Sequence, residues 1–190
     1  FRRVLFRSKF SPVKNSQKPL TGLRIALDPG HVGGHIARTE ERYIDLDINT
    51  KDGIQTVQFD EGTLAVATAR ILEKLLTSYG ATVMLTKRSP GEAVHSVDFD
   101  TWYQLYPDKQ TPKSTIFRTI YNPLDLKARA EKINAFNPHI SLMIHYNGGD
   151  RDAHGKNIPT NKNYCLTFTD RKSTRLNSSH EWISRMPSSA

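Results

Sequence analysis

The chain has 190 residues, 37% of them apolar, which is enough to bury the core of one α/β domain and little more. No run approaches the roughly 18 to 20 apolar residues that a membrane helix needs, so no transmembrane segment is expected. The single Cys165 excludes an internal disulfide framework and any cysteine-rich metal site, which leaves histidine and carboxylate as the available ligands.

In chain order, the first stretch does not read as native protein. Phe1 to Ser8 (FRRVLFRS) back-translates to a string that resembles a common sequencing adapter. The reverse complement of that string, shifted by one base, reads as Asp170 to Asn177 (DRKSTRLN). Two ends of a natural chain have no physical reason to encode opposite strands of one oligonucleotide. Residues 1–8 and 170–190 are therefore set aside, and 9–169 is read as one domain, incomplete at its C-terminus. Arg2, Arg3 and Arg7 leave with the first segment and a net two positive charges with the tail, so the formal charge of +8 falls to +3. With it goes the argument for basic arms, and no nucleic-acid partner is expected. A missing signal peptide is uninformative for the same reason.

Leu23 to Asp28 (LRIALD) is a short apolar run ending at Pro29-Gly30, a strand followed by a sharp turn. His35 to Asp60 shows no clear periodicity. From Glu61 to Tyr79 the residues Leu64, Ala67, Ile71, Leu72, Leu75 and Leu76 share a helical face, with Asp60 as cap and Gly80 as stop. Ala81 to Thr86 reads as a buried strand. Ser89 to Asn122 is again irregular, and its Phe99, Trp102, Tyr103, Tyr106 and Phe117 are either a groove wall or the packing of an insertion. Pro123 to Phe136 is a helix capped by Asn122 and stopped at Asn137-Pro138. His139 to Asn147 is a third strand, and Cys165 to Phe168 opens a fourth. Strands alternating with helices of this length predict an α/β fold, a mainly parallel sheet with helices on both faces.

Ligands of such sheets bind beyond the carboxyl ends of the strands. His31 follows the first strand, His145 ends the third, and Glu61 opens the helix between the first two, so the three converge on one rim. Glu40 and Glu41 are rivals to Glu61. Two imidazoles and a carboxylate with an open position form the donor set of catalytic zinc. Arg88 and Arg129 either orient a substrate carboxylate or form structural ion pairs. His95, His139 and His154 read as surface or strand-edge residues, and Gly33-Gly34 argues against His35 forming a helical pair with His31.

Asp-Pro-Gly-His at 28–31 with Gly33-Gly34, Glu61 at a helix start, Arg129 with Asn134, and Ile-His-Tyr-Asn at 144–147 together resemble the zinc-dependent N-acetylmuramoyl-L-alanine amidases of bacteria. The resemblance implies Zn2+ held by His31, Glu61 and His145, with Asn147 and Arg129 on the substrate side. It also implies peptidoglycan as the partner, action as a monomer in the periplasm or outside the cell, and 9–169 as the catalytic domain. Val32 and Lys87 depart from the usual pattern, and the span from His31 to Glu61 is longer than usual. The family's general-base glutamate has no counterpart between Asn147 and Glu181, and Glu181 lies in the adapter-like tail, so the catalytic base is unknown. The chain is expected to bind zinc and hydrolyse poorly. Two other readings remain at this point: a zinc carboxypeptidase-like hydrolase on the same scaffold, or a non-catalytic wall-binding module.

Overall fold

A computed structural model describes residues 17–95, 97–146 and 153. At its centre lies β1 (Arg24–Pro29), buried along nearly its whole length. It pairs in parallel with β4 (Thr82–Leu85) on one side and β5 (Ile140–Ile144) on the other, in the order β4-β1-β5. A strand with neighbours on both edges and layers on both faces must be apolar throughout, which is why Leu23 to Leu27 carries almost no polar side chain.

The chain steps from β1 to β4 in one direction and from β4 back past β1 to β5 in the other, so crossovers of one hand put their helices on opposite faces. Helix α2 (Glu61–Ser78) covers the first face, where Ile25, Leu27, Ala69 and Leu85 form a core with Leu72, Leu76, Leu142 and Ile144 around it. Helix α5 (Asn122–Phe136) covers the second, reaching Asp28 through Arg129. The α/β architecture expected from the sequence is thus present. Cys165 to Phe168, expected to open a fourth strand, lies outside the described residues.

Both segments read as irregular hold structure. After a 3-10 turn at Gly34–Ile36 and the short helix α1 (Ala37–Glu40), β2 (Tyr43–Thr50) and β3 (Gly53–Asp60) form an antiparallel hairpin. Its signal was in the sequence: Ile44, Leu46 and Ile48 alternate with Asp45, Asp47 and Asn49, and Asp52-Gly53 makes the turn. The second segment holds α3 (Phe99–Leu105) and α4 (Lys113–Ile116), which runs through a π-helical turn at Phe117–Tyr121 into α5. Its aromatics are a core: Phe99, Phe117 and Tyr121 are buried with Val32 and Ile36, and Trp102 and Tyr103 pack against them.

One local expectation fails. Asn122 has helical backbone angles and lies inside a continuous helical run, so it caps nothing. Pro123 lacks an N–H and displaces the carbonyl four residues earlier, and the widened π turn sits where that carbonyl must be accommodated. The stop at Asn137 is as expected: it turns left-handed, with φ 50°, and its N–H bonds back to Ile133 and Asn134.

Between the two cores runs a buried polar chain. Asp28 accepts from Thr86 Oγ1 at 2.6 Å and from Arg129 Nε at 2.7 Å, and Lys87 is fully buried with Nζ 3.4 Å from the Val32 carbonyl. Burial pushes Lys87 down to about 8, helped by Arg129 and opposed by Glu40, Asp125 and Asp28. Between that value and the ordinary lysine value of 10.5 the unfolded chain binds more protons than the folded one, so this residue's contribution to stability rises with pH across that window. The shift corresponds to roughly 3 kcal/mol. Denaturant unfolding of the parent and Lys87→Met is therefore expected to show the variant's advantage shrinking as pH rises from about 8 to about 10.5. A constant difference would remove the buried ammonium from this account.

Candidate metal centre

The centre is assembled at the carboxyl edge of β1 and β5. Beyond Pro29, the Gly30 N–H donates to the Ile144 carbonyl at 2.7 Å, which ties the turn after β1 to the end of β5. His31 then adopts a left-handed backbone with φ 56°, uncommon for a residue with a side chain. Strain of this kind persists only where the surroundings enforce it. Here the Glu40 carboxylate does so: it pairs with His31 Nδ1 at 2.8 Å and accepts the N–H groups of Val32 at 3.0 Å and Gly33 at 3.1 Å.

Glu61 enters from the other side as the first residue of α2. Asp60 caps that helix through Thr63 N at 2.8 Å and also takes the Gly34 N–H at 3.1 Å, so one carboxylate ties the helix start to the His31 turn. Glu61 Oε2 lies 3.1 Å from His31 Nε2, and Oε1 lies 3.1 Å from His145 Nδ1 and 2.9 Å from the Tyr146 N–H. The two imidazoles meet edge to face, 5.1 Å apart. One donor atom from each of His31, Glu61 and His145 falls within 4.8 Å of the others.

Two close approaches explain the glycines. A Cβ on Gly30 would stand 2.5 Å from His145 Nδ1 and 2.7 Å from the Ile144 carbonyl, so only glycine lets the His145 ring lie against β1. A Cβ on Gly62 would stand 2.6 Å from the Gly33 backbone, so the start of α2 rests directly on the His31 turn. The motif glycines therefore set how near the three donors can come.

Electrostatics follow from these contacts. Burial alone would raise Glu61, but hydrogen bonds from His145 and His31 and their charges hold it down to about 2. Burial likewise pulls His31 down, and is outweighed by its bonds to Glu40 and Glu61, so that its pKa ends above the ordinary imidazole value. Glu40, buried yet bonded to His31 and the Gly33 N–H, is held below the usual carboxylate range. Two imidazoles and an ionised carboxylate around one point suit a divalent ion of the zinc type. With Nδ1 of His31 engaged by Glu40, its Nε2 is the atom turned to the centre.

The other candidates lie elsewhere. Arg129 is 3% exposed and bonds Asp28 and, through Nη2, the Pro29 carbonyl at 2.5 Å, so it braces the end of β1 from beneath. Arg88 pairs with Glu73 on the surface, and His139 Nδ1 accepts the Arg24 N–H at 2.9 Å. Asn147 and His154 lie outside the described residues. Of the two rivals to Glu61, Glu40 stands behind His31 and Glu41 pairs with Arg118 at 3.6 Å. His35, Asp98 and Asp100 also gather, but Asp98 caps α3 through Thr101 and Asp100 holds Lys113.

A parallel sheet with such a trio at its carboxyl edge defines an α/β domain of enzymatic type. The profile of the N-acetylmuramoyl-L-alanine amidase family matches residues 25–181, and the chain belongs to that family, hydrolases that act on the cell-wall polymer peptidoglycan. The match runs to residue 181, beyond the boundary at residue 169 expected for the domain. Neither a curated protein nor a solved structure matches the chain. Among the described residues no helix is long and apolar enough to cross a membrane.

Glu40 is the functional residue the sequence reading misplaced, since only the fold shows that it orients a histidine. Glu40→Gln keeps the shape and removes the charge, and is expected to weaken divalent-metal binding about 10- to 100-fold, measured by competition with a chelating dye. Unchanged affinity would reduce Glu40 to a turn-stabilising residue. Gly62→Ala is expected to lower stability by about 1 to 3 kcal/mol in denaturant unfolding.

Proposed function

We propose that the chain is a zinc-dependent N-acetylmuramoyl-L-alanine amidase, hydrolysing the amide between N-acetylmuramic acid and L-alanine, with His31, Glu61 and His145 as zinc ligands. One observation carries the reading: three donors far apart in sequence reach one point on the sheet rim, within 4.8 Å of each other. Zinc bound there supplies Lewis acidity, polarising the scissile carbonyl and acidifying a water.

The remaining work belongs to the protein. Glu40 fixes the tautomer and direction of the His31 ring. Asp28 and Arg129 hold the strand end from which the His31 turn springs, so Arg129, expected from the resemblance on the substrate side, instead braces the backbone from within the core. Asn147, following the His145 strand, is assigned to the substrate. The proton carrier is a glutamate in this family, and residues 148–180 hold none, so zinc binding is the first property to measure. The working place is the periplasm or the cell exterior, and the working form a monomer.

Zinc titration is expected to reveal a single tight site that is weakened at least about 100-fold in His31→Ala, Glu61→Gln and His145→Ala. Whatever hydrolysis of purified peptidoglycan occurs must liberate peptides with free L-alanine amino termini. Release of a C-terminal amino acid in their place would establish a carboxypeptidase and overturn the amidase reading.

A further inference from the structure

Beside His31 a pocket opens between the α1 end and the π turn before α5. Its lining includes Glu40, Glu41 and Arg42 from the α1 end and Phe117 and Arg118 from the π turn, with His31 beside them. Its charges do not cancel. The Glu40 carboxylate is spent on His31 and two backbone N–H groups, and Glu41 pairs with Arg118 at 3.6 Å. Among the described residues Arg42, half-buried as a residue, has no ion-pair partner.

Arg42 is also fixed relative to the centre. Glu41 turns left-handed at φ 58°, the Arg42 N–H donates to the Ala37 carbonyl at 3.0 Å, and the Arg42 carbonyl accepts the Glu61 N–H at 3.1 Å. The backbone of Arg42 is thus one hydrogen bond from a residue of the centre, and Arg42 lines a pocket shared with another. A planar guanidinium without a counter-charge, held in a partly desolvated recess, recognises a carboxylate.

We propose that this pocket is a subsite for a carboxylate on the peptide side of the substrate, with Arg42 as its counter-charge. The inference rests on the amidase reading and adds to it a preference for stem peptides that keep this acid free rather than amidated. Neither Arg88 nor Arg129, the two arginines whose sequence context suggested such a role, is available for it, since one is paired on the surface and the other is buried.

The test compares two probes on the zinc-loaded full chain: N-acetylmuramoyl-L-alanyl-D-glutamic acid and its counterpart with both glutamyl carboxylates amidated. The diacid is expected to bind about tenfold more tightly. Arg42→Gln should bring it down to the affinity of the diamide, with zinc titration unchanged as evidence of an intact fold. Arg42→Lys, which keeps the charge without the planar fork, should retain part of the preference and carries the test if the glutamine variant does not fold. Equal binding of both probes by the parent, or full preference surviving either substitution, overturns the subsite alone. Binding of neither probe, with zinc in place, overturns the amidase reading beneath it.

Discussion

The architecture of the centre depends on one carboxylate, that of Glu40, and what it holds in place. It takes the N–H groups of Val32 and Gly33 together with the His31 ring, and so stabilises a left-handed histidine that would otherwise relax toward an ordinary turn. Because Glu40 holds the ring by its Nδ1 as well as the backbone beneath it, the position of Nε2 is decided here, before Glu61 or His145 is considered. A buried anion needs compensation, which the ring, the amides and the nearby Lys87 ammonium supply. Lys87 is in this light one of the charges that compensate the acid behind His31.

Two layers meet at that turn. Below it the sheet core of Leu27, Ala69 and Leu85 fixes β1, while above it the aromatic core of Phe99, Phe117 and Tyr121 closes over Val32 and Ile36. Asp28, Thr86 and Arg129 join the layers at the strand end, where full apolar packing would leave the Pro29 carbonyl without a donor. The polar chain therefore sits where the backbone stops pairing in the sheet and begins to serve the site.

What the sequence disclosed divides along physical lines. Strands β1, β4 and β5 and helices α2 and α5 are legible because burial on one or both sides forces apolar runs or a 3.6-residue stripe, and the fold then brings His31, Glu61 and His145 to one rim. The hairpin was missed because its alternate positions are acidic or amide and lower the local hydropathy below that of a core strand, although its period of two was present. The π turn was missed because Asn-Pro looks the same at a helix start and inside a helix that bends around it. The part Glu40 plays, and the one proposed for Arg42, were not legible for a deeper reason: both depend on partners brought close only by folding, and no local pattern encodes which of Glu40, Glu41 and Glu61 joins the two histidines.

The hairpin raises the matter of the long excursion between His31 and Glu61. Its base is closed by the Tyr43 and Asp60 pairing and by the bond from the Glu61 amide to the Arg42 carbonyl, so the chain leaves and re-enters at almost the same place. Seen from the three donors, the eighteen residues from Tyr43 to Asp60 are a side branch. Closing such a branch depends only weakly on its length, so evolution is free to extend, shorten or decorate its tip while the ligand spacing stays the same. Distance along the gene is then a poor guide to kinship among these sites, and the clasp at the hairpin's root is the better measure.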